Sequence, residues 1–108
     1  MADAADKTAQ LLETLWQKNL PIFHERMAIL QQASDELSRT HSLTQELRAE
    51  AASTAHKLAG ALGMFGFPKG TDLARQMEHL LIEQRELTAT DAAAFSVWVK
   101  ELAEVVTP

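Results

Sequence analysis

His56 is the side chain that the sequence places best for chemistry. Apolar residues around it recur at helical spacing, and Leu58 lies at the centre of their buried stripe. On a helix that turns about 100° per residue, His56 points about 160° away from Leu58 and therefore into solvent. A neutral imidazole near pH 7 has one ring nitrogen with a free lone pair, which can accept a phosphoryl group. The position of His56 predicts nucleophilic chemistry on an exposed helix face.

The residues that surround His56 on this outer face are all small. Exposed helix surfaces ordinarily carry long polar side chains, and a glycine inside a helix costs about 1 kcal/mol relative to alanine. One hypothesis is that the face is cleared so that a partner's active site can close over the imidazole. The pattern fits equally well with close packing against another helix, in the same bundle or in a dimer that would bury His56. The residues are Ala49, Ala52, Ser53, Gly60 and Gly63.

The elements that must position His56 are all predicted to be helices, because apolar residues recur at helical spacing from about residue 8 to the end. A short first helix contains Leu15 and Trp16 and ends near Asn19, since a proline at position 21 cannot donate the backbone hydrogen bond of a helix interior. A second helix begins at Pro21 and ends before the polar segment 38–42, which contains the next candidate N-cap.

Three more helices are predicted after this segment. The third runs from about residue 43 to residue 65, and Gly66 follows it where a glycine can adopt the left-handed conformation that ends a helix. The fourth runs from Pro68 to about Glu86. The fifth begins at Thr88 and Asp91, which have the spacing of a capping box.

Connections this short favour antiparallel neighbours. We therefore predict an all-α fold, an antiparallel up-down four-helix bundle with an additional short N-terminal helix. The chain has 108 residues, of which 46% are hydrophobic and 23% charged, and this is typical of a globular protein of one domain over residues 1–108.

Composition also excludes several classes of function. The net charge is −5 and there is no basic cluster, so we expect protein partners and no nucleic acid. The chain has no cysteine, which excludes disulfides and Cys-based zinc sites. No segment approaches the roughly 20 apolar residues of a membrane helix, and the start resembles no signal peptide. We therefore expect a cytoplasmic protein that does not bind membranes.

The run from His56 to Gly66 resembles the signature of the histidine phosphotransfer (HPt) family. That signature has a histidine, a hydrophobic residue two positions later, a glycine four positions later and another ten positions later, and Leu58, Gly60 and Gly66 match it. Phe65-Gly66-Phe67 is similar to the phosphorylatable N-terminal domain of chemotaxis-type histidine kinases. The strong similarity spans about residues 52–81, and it continues through Phe67, Leu73, Ala74 and Glu78.

The resemblance implies a relay role in two-component signalling. The histidine accepts a phosphoryl group from a histidine kinase or a response-regulator receiver and passes it to a receiver aspartate. The resemblance also implies a carrier that is no enzyme by itself, with no cofactor or metal in this chain, because the magnesium ion and the acidic pocket belong to the receiver. We expect a monomer that meets its partners through Ala52, Ser53, Gly60, Gly63 and Met64.

Glu78 matches the position at which chemotaxis-kinase relatives have a glutamate that accepts a hydrogen bond from one imidazole nitrogen. This contact would fix the tautomer of His56 and leave the other nitrogen, Nε2, as the nucleophile. The alternative for Glu78 is an ordinary solvated carboxylate. For Met64, the alternative to a partner contact is packing in the core.

One position departs from the family. Many members have a lysine three residues after the histidine, where this chain has Ala59. Lys57 and Arg75 are the candidates to supply the positive charge that attracts phosphate, although Lys57 points about 100° away from His56 around the helix. The missing lysine also leaves open a second hypothesis, a docking module that binds receivers or kinases but does not transfer phosphate.

The remaining histidines, His24, His41 and His79, lack the paired spacing of a metal site. We therefore expect no metal ligands among them.

Overall fold

The computed structural model of the protein describes residues 4–106. Four helices make up the fold: α1 (Ala4–Thr40), α2 (Gln45–Met64), α3 (Pro68–Ile82) and α4 (Ala89–Val106). There is no β-strand within this range, and the prediction of an all-α bundle is confirmed. The helices form a ring in which each packs against its neighbours, α1 on α2, α2 on α3, α3 on α4 and α4 on α1.

The core of the bundle takes residues from every helix. Its largest fully buried side chains include two leucines of α1 and two of α2, with Met77 from α3 and Phe95 from α4. The pair α2 and α3 has the most extensive contacts of the four. This pair carries His56 and Glu78, so the site lies on the most tightly joined part of the fold.

The predicted break at Asn19 and Pro21 is wrong, and with it the separate short N-terminal helix, because α1 continues through Pro21 without interruption. A proline inside a helix removes one backbone hydrogen bond and costs about 3 kcal/mol. Pro21 is exposed, so water can solvate the carbonyl that loses its partner. Trp16 and Phe23, on either side of Pro21, are both buried, with ring centroids 5.6 Å apart. Their shared packing favours one continuous helix.

The continuous helix makes α1 far longer than its neighbours. At about 1.5 Å per residue, the 37 residues of α1 span about 55 Å and the 20 residues of α2 about 30 Å. The longest dimension of the molecule is 57 Å, and residues 4–15 are all exposed. The first turns of α1 therefore extend beyond the body of the bundle.

The predicted polar break at residues 38–42 begins too early, because α1 continues to Thr40. His41 then adopts a left-handed conformation with φ 59°, and its N–H donates to the carbonyl of Leu37 at 2.7 Å. Helix α2 is capped by Thr44, whose hydroxyl accepts from the N–H of Leu47. A left-handed residue supplies the reversal that neighbouring antiparallel helices need, although the sequence offers no glycine here.

His41→Gly is expected to raise the free energy of unfolding by about 0.5–1 kcal/mol. The left-handed conformation costs a residue with a Cβ about 1–2 kcal/mol, and part of this gain is lost because glycine has more freedom in the unfolded chain. Urea denaturation at neutral pH measures the change. His24→Gly, at an exposed position inside α1, is the matched control and should lower stability by about 0.3–0.5 kcal/mol, because glycine is a poorer helix former than histidine. Destabilisation by both substitutions would contradict the prediction.

The end of α2 follows the prediction for Gly66, which has φ 84°. The N–H of Gly66 donates to the carbonyl of Gly63, and the N–H of Phe67 donates to that of Leu62 at 2.8 Å. These two bonds form a Schellman motif. The turn brings the Phe67 ring to a centroid distance of 5.0 Å from Trp16 of α1, so the α2–α3 connection is anchored on α1.

Helix α3 ends at Ile82 and not at Glu86 as predicted. The cause lies in α2, where the guanidinium of Arg48 donates to the carbonyls of Leu81 at 2.7 Å and Arg85 at 2.9 Å, and also to that of Glu83. These hydrogen bonds hold the chain that follows Ile82 against α2, and Glu83 there adopts an extended conformation with ψ 135°.

The predicted capping box at the start of α4 is present. The N–H of Thr88 donates to the carboxylate of Asp91 at 2.8 Å, and the N–H of Asp91 donates to the hydroxyl of Thr88 at 3.2 Å. Arg85 adds two hydrogen bonds to the same carboxylate, at 2.6 and 2.9 Å. The Arg85 guanidinium, helped by the N–H of Thr88, holds the pKa of Asp91 well below its usual range.

Because the pKa of Asp91 is lower in the folded than in the unfolded chain, its contribution to stability is present above about pH 4 and lost as the pH falls below it. We expect Asp91→Asn to lower the free energy of unfolding by about 1 kcal/mol at pH 7. The difference from the wild type should shrink at pH 3. Denaturant titrations at both pH values test this, with Asp72→Asn on the exposed face of α3 as the control. An equal difference at the two pH values would contradict the prediction.

Candidate functional site

His56 lies in the middle of α2 with its side chain 74% exposed. Its neighbours along the outer face, Ser53 and Gly60, are exposed as well, and Ala52 is half-buried. Leu58 is buried in the core, as the helical spacing of the apolar residues predicts. Solvent, and anything that approaches from solvent, can reach the imidazole of His56.

Glu78 of α3 meets His56 across the helix pair. Nδ1 of His56 lies 2.8 Å from Oε2 of Glu78, whose side chain is 21% exposed. A carboxylate can only accept, so Nδ1 carries the proton and donates, and the lone pair of the neutral ring is on Nε2. This arrangement presents an oriented nucleophile to solvent.

The distance between His56 and Glu78 depends on how closely α3 approaches α2. Thr71, buried near the start of α3, donates its hydroxyl to the carbonyl of Ala59 at 3.0 Å. A Cβ at Gly63 would lie 3.3 Å from the hydroxyl oxygen of Thr71, so a larger residue there would press against α3. Glu78 follows Thr71 by about two turns, which places it on the same face and level with His56.

Thr71 is a residue of the site region that the sequence analysis missed. A polar side chain on the otherwise apolar inner face of α3 was its only signal. Its hydroxyl donates to the carbonyl of Ala59 between the two helices. This hydrogen bond fixes the position of α3 along the axis of α2.

The two glycines on the outer face of α2 differ in their surroundings. Gly63 lies against Thr71, which is the close-packing explanation for a small residue. No atom lies within 4 Å of a Cβ built at Gly60, so only open space adjoins it. Gly60 is one turn from His56, and its missing side chain leaves the approach to the imidazole unobstructed.

The three positions considered for positive charge lie in different places. Ala59 is only 5% exposed, because its face of α2 is covered by α3. Lys57 is exposed and lines a groove between α2 and α1. Arg75 is exposed on α3, and helical geometry places it on the row that Thr71 and Glu78 share. Of the two candidate cations, Arg75 lies on the side of the carboxylate.

The candidate partner contact Met64 is exposed at the end of α2, with 64% of its surface accessible. Its side chain is therefore not part of the core. It borders the same groove as Lys57.

Across residues 4–106, no group of three or more His, Asp or Glu side chains is arranged to hold a metal ion. His24, His41 and His79 are each exposed and lie on α1, the α1–α2 connection and α3. Within the same range, no helix is long and apolar enough to cross a membrane.

Comparison with known proteins gives two matches. The family model described as Hpt domain matches residues 23–107. The chain is also 33% identical over 101 residues to the Protein RcaC of Microchaete diplosiphon. That alignment covers 94% of this chain and 15% of RcaC, so the chain spans only a small part of its relative's length. No solved structure matches.

Proposed function

The chain belongs to the Hpt domain family, and from this premise we propose that it is a phosphorelay intermediate that carries a phosphoryl group on Nε2 of His56. The proposal rests above all on the 2.8 Å contact of Nδ1 with Glu78, which leaves Nε2 free in solvent. The family functions in two-component phosphotransfer. Donor and acceptor are then a histidine kinase and a response-regulator receiver.

The transfer step can be written from the geometry. The lone pair on Nε2 attacks the phosphorus of an aspartyl phosphate or of a nucleoside triphosphate. The P–O bond breaks, and its electron pair stays on the oxygen of the aspartyl carboxylate or nucleoside diphosphate that leaves. The ring keeps its proton on Nδ1 and becomes cationic, and the Glu78 carboxylate stabilises that charge. In the onward step a receiver aspartate attacks phosphorus, the P–N bond breaks and Nε2 regains its lone pair.

In this proposal the chain supplies the nucleophile and the receiver supplies the catalytic groups, so the chain is a carrier rather than an enzyme. Phosphoryl transfer depends on positioning and on neutralising charge, which we assign to the magnesium ion and acidic pocket of the receiver. From the chain's own residues, we assign the attraction of phosphate first to Arg75, because it shares the face of α3 with Glu78. Lys57 is the second candidate, since it points toward α1.

The face around His56 is the proposed contact with both partners. Gly60 leaves room directly beside the imidazole, and Met64 adds apolar surface. We propose that the chain acts as a monomer in the cytoplasm, because a dimer on this face would cover His56. The proposed contact residues are Ala52, Ser53, Gly60, Gly63 and Met64.

A second candidate function is a docking module that binds receivers without taking phosphate. The observation in its favour is Ala59, which is buried and carries no charge. The two functions differ in one measurable property, the labelling of His56.

The experiment that separates them uses two donors. Phosphoramidate is small and needs no docking: Nε2 attacks its phosphorus, the P–N bond breaks and ammonia leaves. Radiolabelled, phosphorylated receiver domains from the source organism form the second donor set. We expect label that is acid-labile and alkali-stable, and alkaline digestion should release phosphohistidine substituted at Nε2. A folded protein in which His56 takes no label from either donor would leave the docking module as the function.

A further inference from the structure

Two polar cross-links join α2 to α3 in addition to the contact between His56 and Glu78. In the first, Nε of Arg48 on α2 donates to the carbonyl of Leu81 on α3 at 2.7 Å. In the second, the hydroxyl of Thr71 on α3 donates to the carbonyl of Ala59 on α2 at 3.0 Å. Each cross-link ties a side chain of one helix to the main chain of the other, so it fixes a backbone position.

The pair of His56 and Glu78 lies between the two cross-links. His56 falls between positions 48 and 59 of α2, and Glu78 falls between positions 71 and 81 of α3. At about 1.5 Å per residue, the cross-links are about 16 Å apart along α2 and about 15 Å apart along α3. Because these lengths match, α3 cannot slide along α2 without stretching both hydrogen bonds.

The apolar contacts between α2 and α3 do not set this register by themselves. Burial of apolar surface is non-directional and changes little when one helix slides slightly along another. A hydrogen bond weakens steeply once its length or angle departs from a narrow range. The core therefore holds the two helices together, whereas the two cross-links determine where along α2 each residue of α3 lies.

The carboxylate of Glu78 depends on this register. Glu78 precedes Leu81 by three residues, so the cross-link from Arg48 holds the turn that follows it. Its side chain is only 21% exposed, and the covering residues restrict the rotamers that could follow a displaced backbone. A shift of α3 by about 1 Å would lengthen the 2.8 Å contact with His56 beyond the range of a good hydrogen bond.

We propose that Arg48 and Thr71 are positioning residues for phosphoryl transfer, because together they set the register that brings Glu78 to Nδ1 of His56. The inference rests on the proposed function, in which Nε2 of His56 is the nucleophile. Its structural part can be measured without phosphate, since the tautomer of the neutral ring reports the contact with Glu78.

The test combines Arg48→Met, which keeps the aliphatic stem, with Thr71→Val, which keeps the shape of the side chain. Nitrogen NMR of the neutral imidazole should show the proton on Nδ1 in the wild type and a mixture of tautomers in the double variant. With phosphoramidate as donor, the label on the peptide that carries His56 should accumulate about 10-fold more slowly. Each single substitution should act in the same direction with a smaller effect.

A third substitution shows whether the effect passes through the carboxylate. Glu78→Leu should slow labelling of His56 in the wild-type background but not further in the double variant, where the contact is already lost. Equal slowing by Glu78→Leu in both backgrounds would overturn the inference.

Two controls distinguish positioning from stability. Thr71→Ser keeps the hydroxyl and should retain the wild-type tautomer and rate. Val99 of α4 is 2% exposed and lines the groove toward Gln31 of α1, so Val99→Ala should lower the urea midpoint through lost packing. The tautomer and the labelling rate of His56 should not change in this variant.

The outcomes separate the inference from the proposed function. A folded double variant with the wild-type tautomer and rate would overturn the inference and leave the carrier role intact. If the double variant does not fold, the comparison of Thr71→Val with Thr71→Ser decides, and identical tautomers in these two variants would overturn the inference. A wild-type protein whose His56 takes no label would overturn the carrier role, and the tautomers would still test the register.

Discussion

Replacing His56 by glutamine should reduce phosphoryl labelling by every phosphorylated receiver to background. The amide of glutamine has no basic nitrogen, so nothing at this position can attack phosphorus. Glutamine is close to histidine in size, and the side chain is largely exposed, so the free energy of unfolding should change by no more than about 0.5 kcal/mol. The measurement is the acid-labile label per chain after incubation with phosphorylated receivers.

His79→Gln and His24→Gln are the controls, because both histidines are exposed on helices, whereas the hydrogen bond of Glu78 goes to His56. Both variants should keep the full label. Persistence of acid-labile label in His56→Gln, or its loss in either control, would place the phosphoacceptor elsewhere.

Glu78→Leu should slow phosphorylation of His56 by about 10-fold or more. The carboxylate holds the proton on Nδ1 and stabilises the ring as it becomes cationic, and leucine does neither. The phosphorylation rate of Glu78→Gln should lie between those of the wild type and Glu78→Leu, since the glutamine carbonyl can still accept from Nδ1 but carries no charge. Glu78 is a positioning residue, so a rate alone does not identify its role.

Nitrogen NMR of the imidazole supplies the second readout. Wild-type protein and Glu78→Gln should show the proton on Nδ1, whereas Glu78→Leu should show a mixture of both tautomers. Asp72→Asn, on the same helix, should change neither the rate nor the tautomer. A Glu78→Leu variant with the wild-type tautomer and rate would show that the contact has no function.

Local signals predicted most of the fold. The glycine at position 66, the capping box of Thr88 and Asp91 and the helical spacing of the core each act within a few residues, so the sequence displays them directly. The exposure of His56 also follows from spacing alone, because the core stripe of α2 fixes which way each residue points.

The errors arose where distant residues decide the local structure. Pro21 predicts a break, but packing of Trp16 with rings of the α2–α3 connection favours the continuous helix. The early end of α3 depends on Arg48, which lies 33 residues from Leu81 in the sequence. Such contacts leave no periodic signal.

The geometry of the site was also predictable only where a single helix determines it. The orientation of His56 is a property of one helix, but its distance to Glu78 depends on the separation of two helices, which Thr71 and Gly63 adjust. Pairing of His56 with Glu78 was suggested by the family resemblance and by nothing in the spacing. The buried position of Ala59 likewise required the position of α3.

The ring arrangement of the helices has a consequence for how this protein can evolve. Within residues 4–106, the backbone of α2 does not closely approach that of α4, and the backbone of α1 does not closely approach that of α3. The phosphoacceptor and its carboxylate both lie on α2 and α3, whose register depends on contacts between those two helices. Substitutions can accumulate on the outer surface of α4 without disturbing the chemistry, and the free end of α1 can diversify on its own. Duplicated copies of such a gene could acquire new signalling specificities while inheriting the same transfer step.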